Sequence, residues 1–249
     1  MLPRDAAKPG LGFLSLLLAL FTSTGMAQNP PETLPHNYRV VLENQWVRVV
    51  KVHYAPHEKV PVHNHAEGEV IYVYLADGGP VRFQHFTPRQ VLAIRPPIKQ
   101  GGFRMHHALV ERHSVENMSD LPSDFLRVEL KALPAGNQFP DAKFDPPSIS
   151  TSDSSESVDF ENADVRIVRS VCAAHKVCAS REIGSDSVEV SFTPASLVES
   201  GMQIKSIGLQ AGQVRWLTQM GKEEVSNTGE TDSHRLRIEI KGTRLRPSH

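Results

Sequence analysis

Three side chains able to hold a cation crowd one short stretch of the chain: His63 and His65, separated by one residue, and Glu69 after three intervening residues. Imidazole nitrogens and carboxylate oxygens together suit borderline divalent ions. Residues two apart on a strand share a face, so His63 and His65 project together. Glu69 opens the run Glu69 to Leu75 and shares parity with Ile71, Val73 and Leu75. If those apolar side chains face a barrel interior, Glu69 does too. A lone buried carboxylate is costly, and a cation shared with two imidazoles would offset that cost.

The elements that must position these residues are strands. Val47 to His53 and Val70 to Leu75 are short runs rich in β-branched and aromatic residues, punctuated by Gly78-Gly79-Pro80, Pro88 and Pro96-Pro97. After residue 30 no 12-residue window carries a convincing apolar period near 3.6, so the fold class is all-β. The chain also repeats itself. Leu42-Glu43-Asn44 with Val47 to Lys51 recurs as Phe160-Glu161-Asn162 with Val165 to Arg169, and Arg127 to Lys131 recurs as Arg237 to Lys241. The stretch between the copies, Pro134 to Ser157, has the Pro, Ser and Asp content of a linker.

Five segments are expected: a signal peptide at 1–27, a disordered lead-in at 28–35, a first barrel at 36–133, a linker at 134–157 and a second barrel at 158–245. Arg4 and Lys8 precede the apolar stretch Leu11 to Phe21, and Gly25-Met26-Ala27 offers small residues for cleavage after Ala27. The expected location is therefore periplasmic or secreted, with no membrane association once the signal is removed. Cys172 and Cys178 flank a short polar connection. They read either as a disulfide suited to an oxidising space or as two half-buried thiols. A net charge of −1 implies no nucleic-acid surface.

Downstream lies a second spaced set: Gly102, Ala108, Val110, His113 and Asn117. Together, HNHAEGE and GFRMHHALVERHSVEN resemble the two motifs of the cupin superfamily, with His57 and Ala108-Leu109-Val110 standing where the pattern has Gly and Pro-x-Gly. The resemblance implies two jelly-roll barrels (double-stranded β-helices) from an internal duplication. It also implies a metal held by His63, His65, Glu69 and His113. In the second copy those frames carry Arg181, Ile183 and Glu223, while Gly212 and Asn227 keep their spacing, so only the first barrel is expected to bind an ion.

A site of three imidazoles and one carboxylate suits Mn²⁺, Fe²⁺, Ni²⁺ or Zn²⁺ and leaves positions open for a small-molecule ligand. Three functions fit the resemblance: a metal-dependent dioxygenase, decarboxylase or isomerase acting on a small oxygenated molecule; a non-catalytic binding barrel; or a structural bicupin with a vestigial site. The catalytic residues are unassigned, with Tyr72, Tyr74, His107 and Glu67 as candidates for a general base. The other nearby histidines, His53, His57, His85, His106 and His107, read as surface or packing residues. A second copy of the chain, met through the barrel edges, is the expected protein partner.

Overall fold

Alternating burial along segments such as Glu111–Asn117 and Ala195–Ser200, and burial on both faces along Glu69–Tyr74 and Ser187–Ser191, mark strands whose pairing gives two barrels. The structure, a computed structural model, describes residues 29–241 apart from 66–67, 108–109, 132, 134–138, 149–153, 201–203 and 219–220. The segment read as an export signal therefore lies outside the described residues.

The first half comprises α1 (Pro30–Thr33), β1 (Tyr38–Glu43), β2 (Val47–Tyr54), β3 (Lys59–His65), β4 (Glu69–Tyr74), β5 (Val81–Thr87), β6 (Val91–Arg95), β7 (Phe103–His106), β8 (Glu111–Asn117), β9 (Ser123–Leu130) and β10 (Ala142–Phe144). The second half comprises β11 (Ser155–Glu161), β12 (Val165–Cys172), β13 (Arg181–Ile183), β14 (Ser187–Ser191), β15 (Ala195–Ser200), β16 (Ile204–Leu209), β17 (Val214–Leu217), β18 (Gly221–Asn227) and β19 (Ser233–Ile240). Each half folds into two antiparallel sheets facing one another. The first pairs β1-β2-β9-β4-β7-β10 with β3-β8-β5-β6, and the second pairs β11-β12-β19-β14-β17 with β13-β18-β15-β16. This is a pair of cupin-type jelly rolls.

The internal repeat is kept residue by residue in the pairing. Val47 faces Leu130 as Val165 faces Ile240, and the irregularity between Val40 and Leu42 recurs between Val158 and Phe160. One correspondence shifts by a residue. Gly101, with φ 81°, takes the backbone role of Gly212, with φ 74°, because each donates its N–H across the barrel end, to Tyr74 and Ser191 respectively. Gly102 therefore matches Gln213 rather than Gly212.

The segment expected to be a disordered lead-in is instead a helical turn packed on the first barrel. Proline in its first turn fits the helical φ, Pro30 is buried, and Arg48 Nη2 donates to Asn29 Oδ1 at 2.9 Å. The expected linker likewise contributes structure. Ala142–Phe144 pairs with β7, and the first strand of the second barrel begins at Ser155, three residues before the boundary read from composition. Cys172 and Cys178 are joined as a disulfide, with Cα atoms 5.0 Å apart.

The two halves share one core. Val49, Ile71, Val73 and Phe103 from the first pack with Ile167, Val188, Val190 and Leu236 from the second. At the rim of this contact, Arg169 donates from Nη2 to the Gly101 carbonyl at 2.8 Å and from Nη1 to His234 Nε2 at 2.7 Å. A Cβ on Gly101 would lie 3.0 Å from the His234 ring and 3.2 Å from Arg169, and its φ disfavours any other residue, so glycine is required here.

Burial, and then the adjacent Arg169 guanidinium, push the His234 imidazole down to about 4. The folded chain thus holds this ring neutral where the unfolded chain, titrating near 6.5, has protonated it. The stability it contributes is complete above that unfolded value and is lost as pH falls toward 4. In denaturant melts, wild type is expected to lose about 2 kcal/mol more than His234→Gln between neutral pH and pH 4, allowing for solvent screening of a partly open ring. Parallel pH profiles for the two proteins would dismiss the linkage.

Candidate metal centre

The site is built across three neighbouring strands of one sheet. In the antiparallel register His63 on β3 faces His113 on β8, which in turn faces His85 on β5. Directly opposed residues in such a ladder share a face, so a row of three imidazoles crosses the sheet. His65, two residues after His63, projects alongside. The ring centroids of His63, His65 and His113 lie 4.7 to 5.1 Å apart, and one ligand atom from each falls within a 4.8 Å sphere of the others. All three are at most 4% exposed.

The hydrogen bonds fix where the lone pairs point. His63 Nδ1 lies 2.8 Å from the Pro61 carbonyl, which can only accept, so that nitrogen carries the proton. Its Nε2 is then a bare acceptor, 2.8 Å from the Tyr38 hydroxyl and 3.1 Å from His65 Nε2. Tyr38 is held in turn by Tyr54 at 2.8 Å. Both ring nitrogens of His113 are buried with no hydrogen-bond partner. An unpaired buried polar group costs roughly 1–3 kcal/mol, so two on one ring call for an explanation.

Burial dominates the electrostatics. It lowers the pKa of His63, and it takes His65 and His113 well below the ordinary imidazole value, helped by Arg127 and by the neighbouring rings. Three neutral imidazoles therefore stay ready to donate lone pairs under mildly acidic conditions. Arg127 is itself buried, and Tyr72, Glu129 and Glu111 keep it charged. It donates to the Tyr72 hydroxyl at 2.7 Å and to Glu129 at 2.8 Å, and lies 3.5 Å from Glu111.

Glu69 does not join the cluster, contrary to the expectation from sequence. Along β4, Val70, Tyr72 and Tyr74 enter the interior of the first barrel, whereas Ile71 and Val73 enter the core shared between the barrels. Glu69 has the parity of the second set, and its cross-strand partner Leu130 belongs to that shared core. The carboxylate facing the imidazoles is Glu111, opposite His65 and two residues before His113 on β8. An oxygen of Glu111 lies within 4.8 Å of ligand nitrogens of His85 and His113. The signal for it was present: Glu111, His113, Val115 and Asn117 are the buried set of one alternating strand. His85, read from sequence as a packing residue, stacks on Phe83 and lies 5.3 Å from the His113 ring.

The donor set fits a divalent ion. Three neutral imidazoles with ligand atoms within 4.8 Å of one another, one of them carrying two unpartnered nitrogens, and an adjacent carboxylate are what such an ion needs. Beside the cluster is a cavity of about 10 Å³, room for one water or ion, lined by His65, His113, Tyr38, Tyr72, Arg95 and Arg127. A neighbouring space of about 20 Å³ continues past Tyr54, Tyr74 and Arg95. The Arg95 guanidinium lies over the rings of Phe83 at 4.1 Å and Tyr72 at 5.2 Å.

In the second barrel the corresponding positions carry Arg181 and Glu223, paired across β13 and β18 as His63 and His113 are across β3 and β8. Ile183 stands for His65, facing Gly221 where His65 faces Glu111.

No protein-family model matches the sequence, and no curated protein matches it. Solved structures do resemble its fold. AerE from Microcystis aeruginosa superposes with a TM-score of 0.53 at 14% identity, over 82% of this chain and 97% of that one. A Bacillus subtilis oxalate decarboxylase, described for its Mn(II) centres, gives 0.53 at 10% identity over 82% and 75%. A cupin 2 conserved barrel domain protein from Leptotrichia buccalis gives 0.50 at 10% identity over 82% and 88%. These likenesses establish a cupin fold.

Proposed function

We propose that the first barrel is a metal-dependent enzyme centre, in which His63, His65 and His113 hold a divalent transition ion with Glu111 beside them. The observation that carries this reading is His113, whose two ring nitrogens are buried and unpartnered next to two more neutral imidazoles. The ion would supply Lewis-acid or redox chemistry to a ligand reaching it from the adjoining space. That space is small, which favours a ligand of few atoms. Arg95 and Arg127 line it, which favours an anion, and Tyr72 can orient a polar group there through its hydroxyl. A small carboxylate is the substrate class that meets both conditions, and the oxalate decarboxylase among the fold's relatives is one protein of that kind. The disulfide and the N-terminal apolar stretch both support an oxidising location outside the cytoplasm.

The test is elemental analysis of the exported protein, followed by reconstitution with Mn²⁺ or Fe²⁺ and assay against oxalate, hydroxy acids and catechols. Bound manganese or iron with turnover of a carboxylate is expected. Protein that neither retains nor accepts an ion defeats the reading. Tight ligand binding without turnover on the loaded protein would instead assign a binding barrel.

A further inference from the structure

A second group of ligand-type side chains lies at the outer, β10 edge of the six-stranded sheet, where β7 ends against β10. His106 closes β7, His107 follows it, and Asp141 immediately precedes β10. His106 Nδ1 sits 2.7 Å from the His107 carbonyl. A carbonyl only accepts, so this nitrogen carries the hydrogen and Nε2 of the neutral ring presents a bare lone pair. His106 Nε2 lies 3.9 Å from Asp141 Oδ1, while His107 Nδ1 lies 2.9 Å from Asp141 Oδ2. The two rings stack with a 12° interplanar angle. The ligand atoms of all three residues lie within 4.8 Å of one another. The His107 backbone N–H also donates to Asp141 Oδ1 at 3.3 Å and fixes the carboxylate in place.

A bare imidazole nitrogen this near a carboxylate oxygen gains nothing from it unless a positive charge lies between them. Two cations can fill the role. A proton on His106 gives a surface ion pair, worth less than about 1 kcal/mol. A transition ion satisfies both imidazoles and the carboxylate at once. With metal–donor bonds of about 2.0–2.2 Å, two donors of one ion sit roughly 3–4 Å apart, which covers both observed separations. Two nitrogens and one oxygen, open to solvent on one side, suit Zn²⁺, Ni²⁺ or Cu²⁺ rather than Mg²⁺ or Ca²⁺.

We infer that His106, His107 and Asp141 form a second, outer transition-metal site, which ties the segment between the barrels to the edge of the first barrel. Its consequence is local. β10 is a three-residue strand held to β7, and an ion bridging Asp141 to His106 and His107 pins the start of that strand.

The test is Zn²⁺ titration of the full folded chain by calorimetry and native mass spectrometry, on wild type, His107→Ala, Asp141→Asn and His113→Ala. The substituted outer side chains are 44% and 43% exposed, so the fold should tolerate their loss. Two ions on wild type are expected. Either outer substitution should remove one of them or weaken it at least tenfold, and His113→Ala should remove the other. Stoichiometry and affinity unchanged by both outer substitutions overturn the outer site, as does a wild type that binds no ion. A single ion that survives His113→Ala but not Asp141→Asn upholds the outer site and refutes the inner one. The reverse pattern refutes the outer site alone.

Discussion

His113→Ala is expected to lower the affinity of the inner cluster for Mn²⁺ or Zn²⁺ by about 100-fold or more, while leaving the folded apo-protein as stable as wild type. Loss of a residue that merely orients a ligand costs 10–100-fold in many sites, and a ligand itself costs at least as much. The apo-protein should be spared because the substitution deletes two buried nitrogens that have no partner. Removing unsatisfied polar atoms recovers desolvation free energy of roughly the size that the new cavity loses. The carboxylates sharpen the test. Glu111→Gln should weaken the ion about tenfold, since Glu111 lies beside His85 and His113, whereas Glu69→Gln should leave it within about twofold. Competition titrations against a chelator, paired with thermal melts, read both quantities. Unchanged affinity in His113→Ala would remove that residue from any metal site, and a large effect at Glu69 would reverse the assignment of the carboxylate.

The contrast between Glu69 and Glu111 shows where the sequence was legible. Parity placed His63 with His65 correctly, because a two-residue period is strict on any strand. The internal repeat was legible because the pairing register is conserved between the halves, Arg48 with Glu129 and Arg166 with Glu239. Parity failed at Glu69 because β4 is buried on both faces. Ile71 and Val73 point to one core and Tyr72 and Tyr74 to another, so apolar character could not say which face was the barrel interior. The strand Ala142–Phe144 and the turn Pro30–Thr33 were hidden for a different reason. Both are short segments whose order comes from contacts with distant residues, and composition records nothing of those contacts. The interior of the second barrel was half legible: the alignment names Arg181 and Glu223, but their partners come from positions that are aromatic in the first barrel.

Those partners make Arg181 the site of the largest expected loss of stability. Its guanidinium, 1% exposed, donates to Glu223 at 2.8 Å, Glu189 at 3.0 Å and Glu199 at 2.7 Å. By pairing register, Glu189 holds the place of Tyr72 and Glu199 that of Phe83. Burial pushes the Glu189 carboxyl up, but Arg235, Arg215 and Arg181 together outweigh it and hold the group at about 2. Where the first barrel gathers neutral imidazoles around a space fit for an outside ion, the second supplies its cation from its own chain. Arg181→Ala is therefore expected to cost about 3–5 kcal/mol of unfolding free energy, the usual result of stranding one side of a buried ion pair. Glu189 and Glu199 keep Arg215, but no other ion pair to Glu223 is seen among the described residues. A carboxylate buried without a partner binds its proton more tightly than the unfolded chain does, so the variant's deficit should shrink as pH falls from 7 toward 5. Arg181→Met combined with Glu223→Gln should recover most of the loss, because it removes both charges of the closest pair. A single-variant deficit under about 1 kcal/mol, or a double variant no better than the single, would mean that this buried network does not hold the second barrel together.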